Sequence, residues 1–366
     1  MGLTRSDYRM TGLAVVVVLG AAITYYGGLG GDLVPFIVSG VALALLASLV
    51  GRSVEALGGR LGAGATGVVQ SALGNLPELF VVLFALKSGL YEVARATIVG
   101  SILANVLLVL GLAFLVGGIK NGSQKFEQSA ARTISMLLVL SVAALVVPAL
   151  TAALHSPAAG HERGLSIVVS ILLLGLFIAS LPAALKRQKS EEGTEAAEAT
   201  AEAEGAHEGG HEGPGWPLWL AITMLAVAGV GAAFVSDWFV AGLTPAMDKL
   251  GISEAFAGLV IVAIAGNAVE NVVGIQLAAR NQADYALSVI LQSPLQITLV
   301  VAPALVLLSP LVGASFTLVL SPLLIAALIL AVVVTIIVVL DGESNWLEGA
   351  ALIVLYAIIA ASFWWG

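Results

Sequence analysis

Cysteine is absent from this 366-residue chain, and charge is scarce: Asp, Glu, Lys and Arg together make up only 10% of it. The first absence excludes disulfides, thiolate metal centres and cysteine nucleophiles, and it leaves the redox compartment unmarked. The four histidines stand at 155, 161, 207 and 211, outside the long apolar runs, so neither a serine-histidine couple nor an HExxH pair can form within them. No Walker pattern is present, which disfavours an ATP-driven pump. Enzymatic chemistry and bound cofactors are therefore not expected. What fills the chain is 59% hydrophobic residues, a composition that belongs to integral membrane proteins. The formal charge of -8 is local, because eight glutamates and no lysine or arginine lie between Glu191 and Glu212, and the remaining acids balance the 15 bases. No basic patch invites nucleic acid; the partner implied is the lipid bilayer.

About 20 apolar residues cross a bilayer. On that ruler the sequence predicts an all-α integral membrane protein with about eleven transmembrane helices, near 12–26, 33–50, 62–86, 95–116, 132–152, 164–185, 216–240, 255–279, 285–308, 315–340 and 346–365. The first run has the outline of a secretory signal, but bulky Ile23, Thr24, Tyr25 and Tyr26 stand where a cleavage site needs small residues, so an uncleaved span is expected. With the N-terminus inside, eleven of the lysines and arginines fall on the cytoplasmic side and four (Lys87, Arg95, Arg163, Lys249) outside, in accord with the positive-inside rule. That orientation places the acidic linker, 187–215, in the cytoplasm and the C-terminus outside. Residues 1–31 then form an accessory helix, and 32–186 and 216–366 form two repeats of five spans each. Five is odd, so the repeats are expected to be inverted, the plan of many secondary transporters. Homo-oligomerisation is left open by the sequence, and the lack of an organellar signal suggests a prokaryotic plasma membrane.

Two stretches carry chemistry. GNLPELFVVLFALKSG begins at Gly74 and GNAVENVVGIQLAARN at Gly266, so each half holds a Gly-Asn pair just ahead of a glutamate, Glu78 and Glu270. A carboxylate near the middle of a membrane span costs roughly 2.5–3.5 kcal/mol on insertion scales and is read as functional. The following spans are punctuated by Ser101 and Asn105 in one half and by Ser293, Pro294 and Gln296 in the other. A hard divalent cation takes six to eight oxygens from carboxylates, amides, carbonyls and water. Glu78 and Glu270 supply the charge, Asn75, Asn267, Asn105 and Gln296 amide oxygens, and Ser71, Ser101 and Ser293 hydroxyls. Pro77, if inside a helix, frees the carbonyl of Leu73 for the same use. The second motif has Val269 in its place, so a less broken helix is expected there. A desolvated carboxylate without a cation favours its protonated form, whereas a bound divalent ion favours the charged one. Cation and proton then compete, and exchange follows if the two bundles rock only when the carboxylates are neutralised. Asparagine and serine between transmembrane helices also serve as simple interhelical glue.

GNLPELFVVLFALKSG with ATIVGSILANVLLVLGLAFLVGG, and GNAVENVVGIQLAARNQADYALSVILQSPLQI in the second half, resemble the two repeats of the calcium/cation antiporter superfamily, within it the cation/proton exchanger (CAX) branch. The resemblance covers spans two to eleven. It implies a Ca2+/H+ antiporter in which Glu78 and Glu270 alternately bind calcium and protons. Leu76-Pro77-Glu78 keeps a flavour of the sodium/calcium exchangers, and Asn271, Arg95 and Gln292 depart from the CAX pattern. A sodium-coupled exchanger (Na+/Ca2+ or Na+/H+) is the alternative, and a cation channel a more remote one.

Overall fold

The computed structural model describes residues 5–61, 73–180 and 216–365. The protein is an all-α integral membrane protein. Among the described residues, eight helices are long and apolar enough to cross a membrane: α1 (Asp7–Gly27, the apolar part of Arg5–Gly27), α2 (Leu33–Leu57, within Leu33–Leu61), α4 (Tyr91–Asn121), α5 (Ala131–Ala153, within Gln128–Ala153), α6 (Glu162–Ser180), α7 (Leu218–Leu250), α10 (Ala283–Val312) and α11 (Pro322–Val339). Shorter apolar helices complete the set: α3 (Leu76–Lys87), α8 (Glu254–Gly266), α9 (Ala268–Ala279) and α12 (Trp346–Ser362). Ser71 and the acidic linker lie outside the described residues.

Two differences from the hydropathy ruler have physical causes. The span expected at 255–279 is two helices, α8 and α9, meeting at Asn267, and the one expected at 315–340 starts only at Pro322, after an extended stretch over 314–321. Hydropathy counts apolar residues and is blind to backbone direction. Proline at the first helical position, where its missing N–H would be unbonded anyway, sets that later start.

The helices that carry the punctuating serines are the interior ones. In α4, 72% of the membrane-length window is buried and in α10 61%, against 11% in α1 and 22% in α6. Small residues allow this density. A Cβ at Gly100 of α4 would fall on the carbonyl oxygen of Leu259 in α8, and one at Gly258 of α8 would stand 2.5 Å from the carbonyl oxygen of Val93 in α4, so these helices cross in backbone contact. The pairing of α2 with α7 is reciprocal: Phe36 stacks on Phe239 at 4.8 Å between ring centroids, Gly242 lies under Phe36 and Gly40 under Phe239. The peripheral α1 is tied down by Asp7, which pairs with Arg52 of α2 at 2.7 Å and accepts from the indole N–H of Trp216, just before α7, at 3.1 Å.

Turns between helices use the expected residues. Gly251, at φ 65°, ends α7 in the left-handed conformation that glycine adopts without steric cost. Asn345 and Glu348 form a capping box that opens α12. Between α4 and α5 a two-residue strand, β1 (Gln124–Lys125), pairs antiparallel with β2 (Glu343–Ser344), which lies between α11 and α12.

Candidate functional site

Both Gly-Asn pairs break the helix, and they do so with the same backbone. Asn75 has φ -95° and ψ 17°, Asn267 φ -103° and ψ 17°, the sparsely used bridge region. This corrects two expectations. Pro77 does not sit inside a helix: α3 begins at Leu76, so the proline occupies the first turn, where it costs no hydrogen bond and is not what interrupts the helix. The second helix is not less broken for having Val269, since the break belongs to the asparagine. Both asparagines stand at N-cap positions, yet neither side chain caps its helix. A capping bond is worth about 1 kcal/mol, and here the amides are turned to other partners.

Each amide reaches across to the opposite half. Asn75 donates to Oε1 of Gln296 on α10 at 2.9 Å. Asn267 donates to Oγ of Ser101 on α4 at 3.0 Å and to the carbonyl of Ala263 at 2.9 Å. Its Oδ1 accepts from Asn105 at 3.3 Å and from Ser293 at 3.4 Å. Asn105 also donates to Oγ of Ser293 at 3.2 Å and to the carbonyl of Ser101 at 2.9 Å. Ser101 in turn donates to Oε1 of Glu78. Glu78, Ser101, Asn267, Asn105 and Ser293 thus form one continuous polar chain, with every member 3% exposed or less. Gly266 lies against Glu78, where a Cβ would come 3.6 Å from that of the glutamate.

Of the predicted residues, Leu73 stands apart from this chain: half-buried, it lines an apolar groove between α3 and α7. The Asn75–Gln296 pair is separate from the five-residue chain. Glu270 falls in α9, one turn after Asn267, and its side chain lies outside the described residues.

Two buried oxygens carry no donor. Oε2 of Glu78 and Oδ1 of Asn105 have no hydrogen-bond partner among the described residues. Buried polar atoms are nearly always paired, and an unpaired acceptor costs about 1–3 kcal/mol. A carboxylate and an amide oxygen left open beside hydroxyls are hard-cation ligands by chemistry.

Hydrophobic periodicity carries no sign of the π-helical segments near this centre. They cover Ala104–Val109 in α4, which contains Asn105, Ala257–Val262 in α8, and Ile297–Val301 in α10, directly after Gln296. In the first, the carbonyl of Val106 accepts from the hydroxyl of Thr335 on α11 at 3.1 Å. Such bulges cluster at functional sites.

Fold and site together define a multi-spanning helical membrane protein built around a buried acidic and amide centre. The sodium/calcium exchanger protein family matches residues 32–186 and 220–365, and the chain belongs to that family. It is 34% identical to a Ca(2+)/H(+) antiporter of Synechocystis sp., over 91% of each protein. It is 35% identical to the Ca(2+)/H(+) antiporter ChaA of Bacillus subtilis, over 90% of this chain and 91% of that one. The solved structure of native YfkE superposes with a TM-score of 0.78 at 32% identity, covering 96% of this chain and 99% of the other.

Proposed function

We propose that this protein exchanges Ca2+ for H+ across a membrane by alternating access. The observation that carries the reading is the pair of unpartnered oxygens, Oε2 of Glu78 and Oδ1 of Asn105, inside a closed network of amides and hydroxyls. Family membership and the activities for which the two bacterial relatives are named support the same ions. In this reading Glu78 and Glu270 are the carboxylates that hold calcium or protons in turn; Asn105 offers its open Oδ1 to the ion, Ser101, Asn267 and Ser293 line and orient the site, and Asn75 and Gln296 close it from the other side. Ser71 and the Leu73 carbonyl remain candidate ligands of the same centre.

The halves 32–186 and 216–366 act as inverted repeats of five spans, with residues 1–31 as an accessory helix. The reciprocal Phe36/Gly242 and Phe239/Gly40 packing and the shared backbone of Asn75 and Asn267 support this division. The N-terminus and the acidic linker lie in the cytoplasm of a prokaryotic cell, and the C-terminus outside.

Calcium-45 uptake into proteoliposomes under an imposed pH gradient, without sodium, tests the proposal on the wild type, Glu78→Gln and Glu270→Gln. Uptake driven by the gradient in the wild type and lost in either variant is expected. Uptake that needs a sodium gradient instead would replace proton coupling with sodium coupling.

A further inference from the structure

Behind the broken helix lies a second feature, distinct from the polar centre. Two residues along a helix are about 200° apart, so Leu76 and Phe80 face away from Glu78. With Phe84 they form one wall of a groove of about 730 Å³ between α3 and α7. Gly229, Ala233 and Phe234 form the other wall. Gly229 keeps it open, since a Cβ there would already stand 3.9 Å from Leu76. The groove faces the bilayer: Ile222, Val230 and Phe234 on its rim are 51%, 59% and 60% exposed. From Ile222 to Asp237 it follows α7 for about 22 Å at 1.5 Å per residue, longer than one leaflet's hydrocarbon of about 15 Å.

Among the described residues its lining includes two charges, of opposite sign, Lys87 and Asp237. No ion pair joins them, and neither has a charged partner among the described residues; the Lys87 ammonium lies 5.4 Å over the ring of Phe84. A carboxylate on a lipid-facing helix is costly unless something cationic meets it. An anionic lipid would satisfy Lys87 and repel Asp237, and an uncharged one would leave both unmet.

We propose that this groove binds a zwitterionic phospholipid with a primary ammonium headgroup, of the ethanolamine type. Its phosphate meets Lys87, its ammonium donates to the Asp237 carboxylate, and one acyl chain lies along Leu76, Phe80 and Gly229. A choline headgroup carries the same charge but no N–H, so it cannot make the charge-assisted hydrogen bond to Asp237. Leu73 and Leu76 flank Asn75, so the bound chain presses on the helix break from the side away from Glu78. The binding site does not depend on which ions are exchanged.

The full-length protein is reconstituted in bilayers of equal parts ethanolamine and choline phospholipid, extracted into mild detergent, and its retained lipid read by native mass spectrometry. One ethanolamine lipid per protein is expected, enriched over choline by about tenfold, the factor a single charge-assisted hydrogen bond supplies. Asp237→Asn, which keeps the shape and removes the charge, brings that enrichment close to unity, and Gly229→Leu, which fills the groove, removes the bound lipid. Wild type without retained lipid, equal retention of the two headgroups, or an Asp237→Asn variant that keeps the enrichment would each overturn the proposal.

Discussion

Asn75 and Asn267 occupy matching motif positions and share a backbone conformation, yet their side chains are unequally engaged, and truncating each to alanine exposes the difference. Asn267 is fully buried and makes four hydrogen bonds, to Ser101, Ala263, Asn105 and Ser293, linking α8 and α9 to α4 and α10. Asn75 is 6% exposed and, among the described residues, its side chain makes one, to Gln296. Hydrogen bonds between transmembrane helices average about 0.6 kcal/mol in double-mutant cycles. Three of the Asn267 bonds cross between helices, the bond to the Ala263 carbonyl being local, so Asn267→Ala should cost about 1.8 kcal/mol and Asn75→Ala about 0.6 kcal/mol on that average. The gap is roughly a factor of 8 in the folding equilibrium. The cost falls short of the unpaired-group penalty because the survivors keep partners: Asn105 still donates to the Ser101 carbonyl and to Ser293, and Ser101 still donates to Glu78. Thermal melting of the two variants in detergent measures the order. Calcium uptake at several calcium concentrations adds a functional reading, with the KM raised more in Asn267→Ala because Ser101 loses the amide that fixes its orientation. Equal destabilisation, or Asn75→Ala being the worse variant, would refute this assignment of partners.

Replacing Pro77 with valine, the residue found at 269, should leave the helix break and uptake within about threefold of wild type, since proline in a first turn removes no hydrogen bond; loss of uptake would show that the proline does hold the break. Gly100→Ala should destabilise by about 1–3 kcal/mol because its methyl meets the Leu259 backbone, whereas Gly274→Ala, which meets side-chain atoms of Ile290 rather than backbone, should cost less; melting midpoints of the pair decide. If calcium and protons share the Glu78 carboxylate, the apparent calcium Kd should rise as pH falls, and the Glu78→Gln variant should show a shallower dependence; a Kd that does not move with pH would refute the competition.

Much of this architecture was legible as composition. Apolar runs of membrane length located α1, α2, α4 to α7, α10 and α11 because burial in lipid constrains every residue of such a run, and the paired motifs brought Glu78, Ser101, Asn105, Asn267 and Ser293 under suspicion before any of them was seen to touch. What stayed hidden depends on backbone direction. Proline was read as the breaker because its rule is local and strong, while the asparagine at the same break obeys no local rule: its conformation is paid for by bonds to helices more than a hundred residues away, Asn75 to Gln296 and Asn267 to Ser101 and Asn105. The π segments are hidden for the same reason, since an added residue per turn changes neither composition nor the apolar character of a fully buried run. Two of the three adjoin candidate site residues, Asn105 inside one and Gln296 directly before another. A π turn re-aims the side chains beyond it, so the sequence could nominate the polar residues, but only the irregular backbone turns them toward a common point.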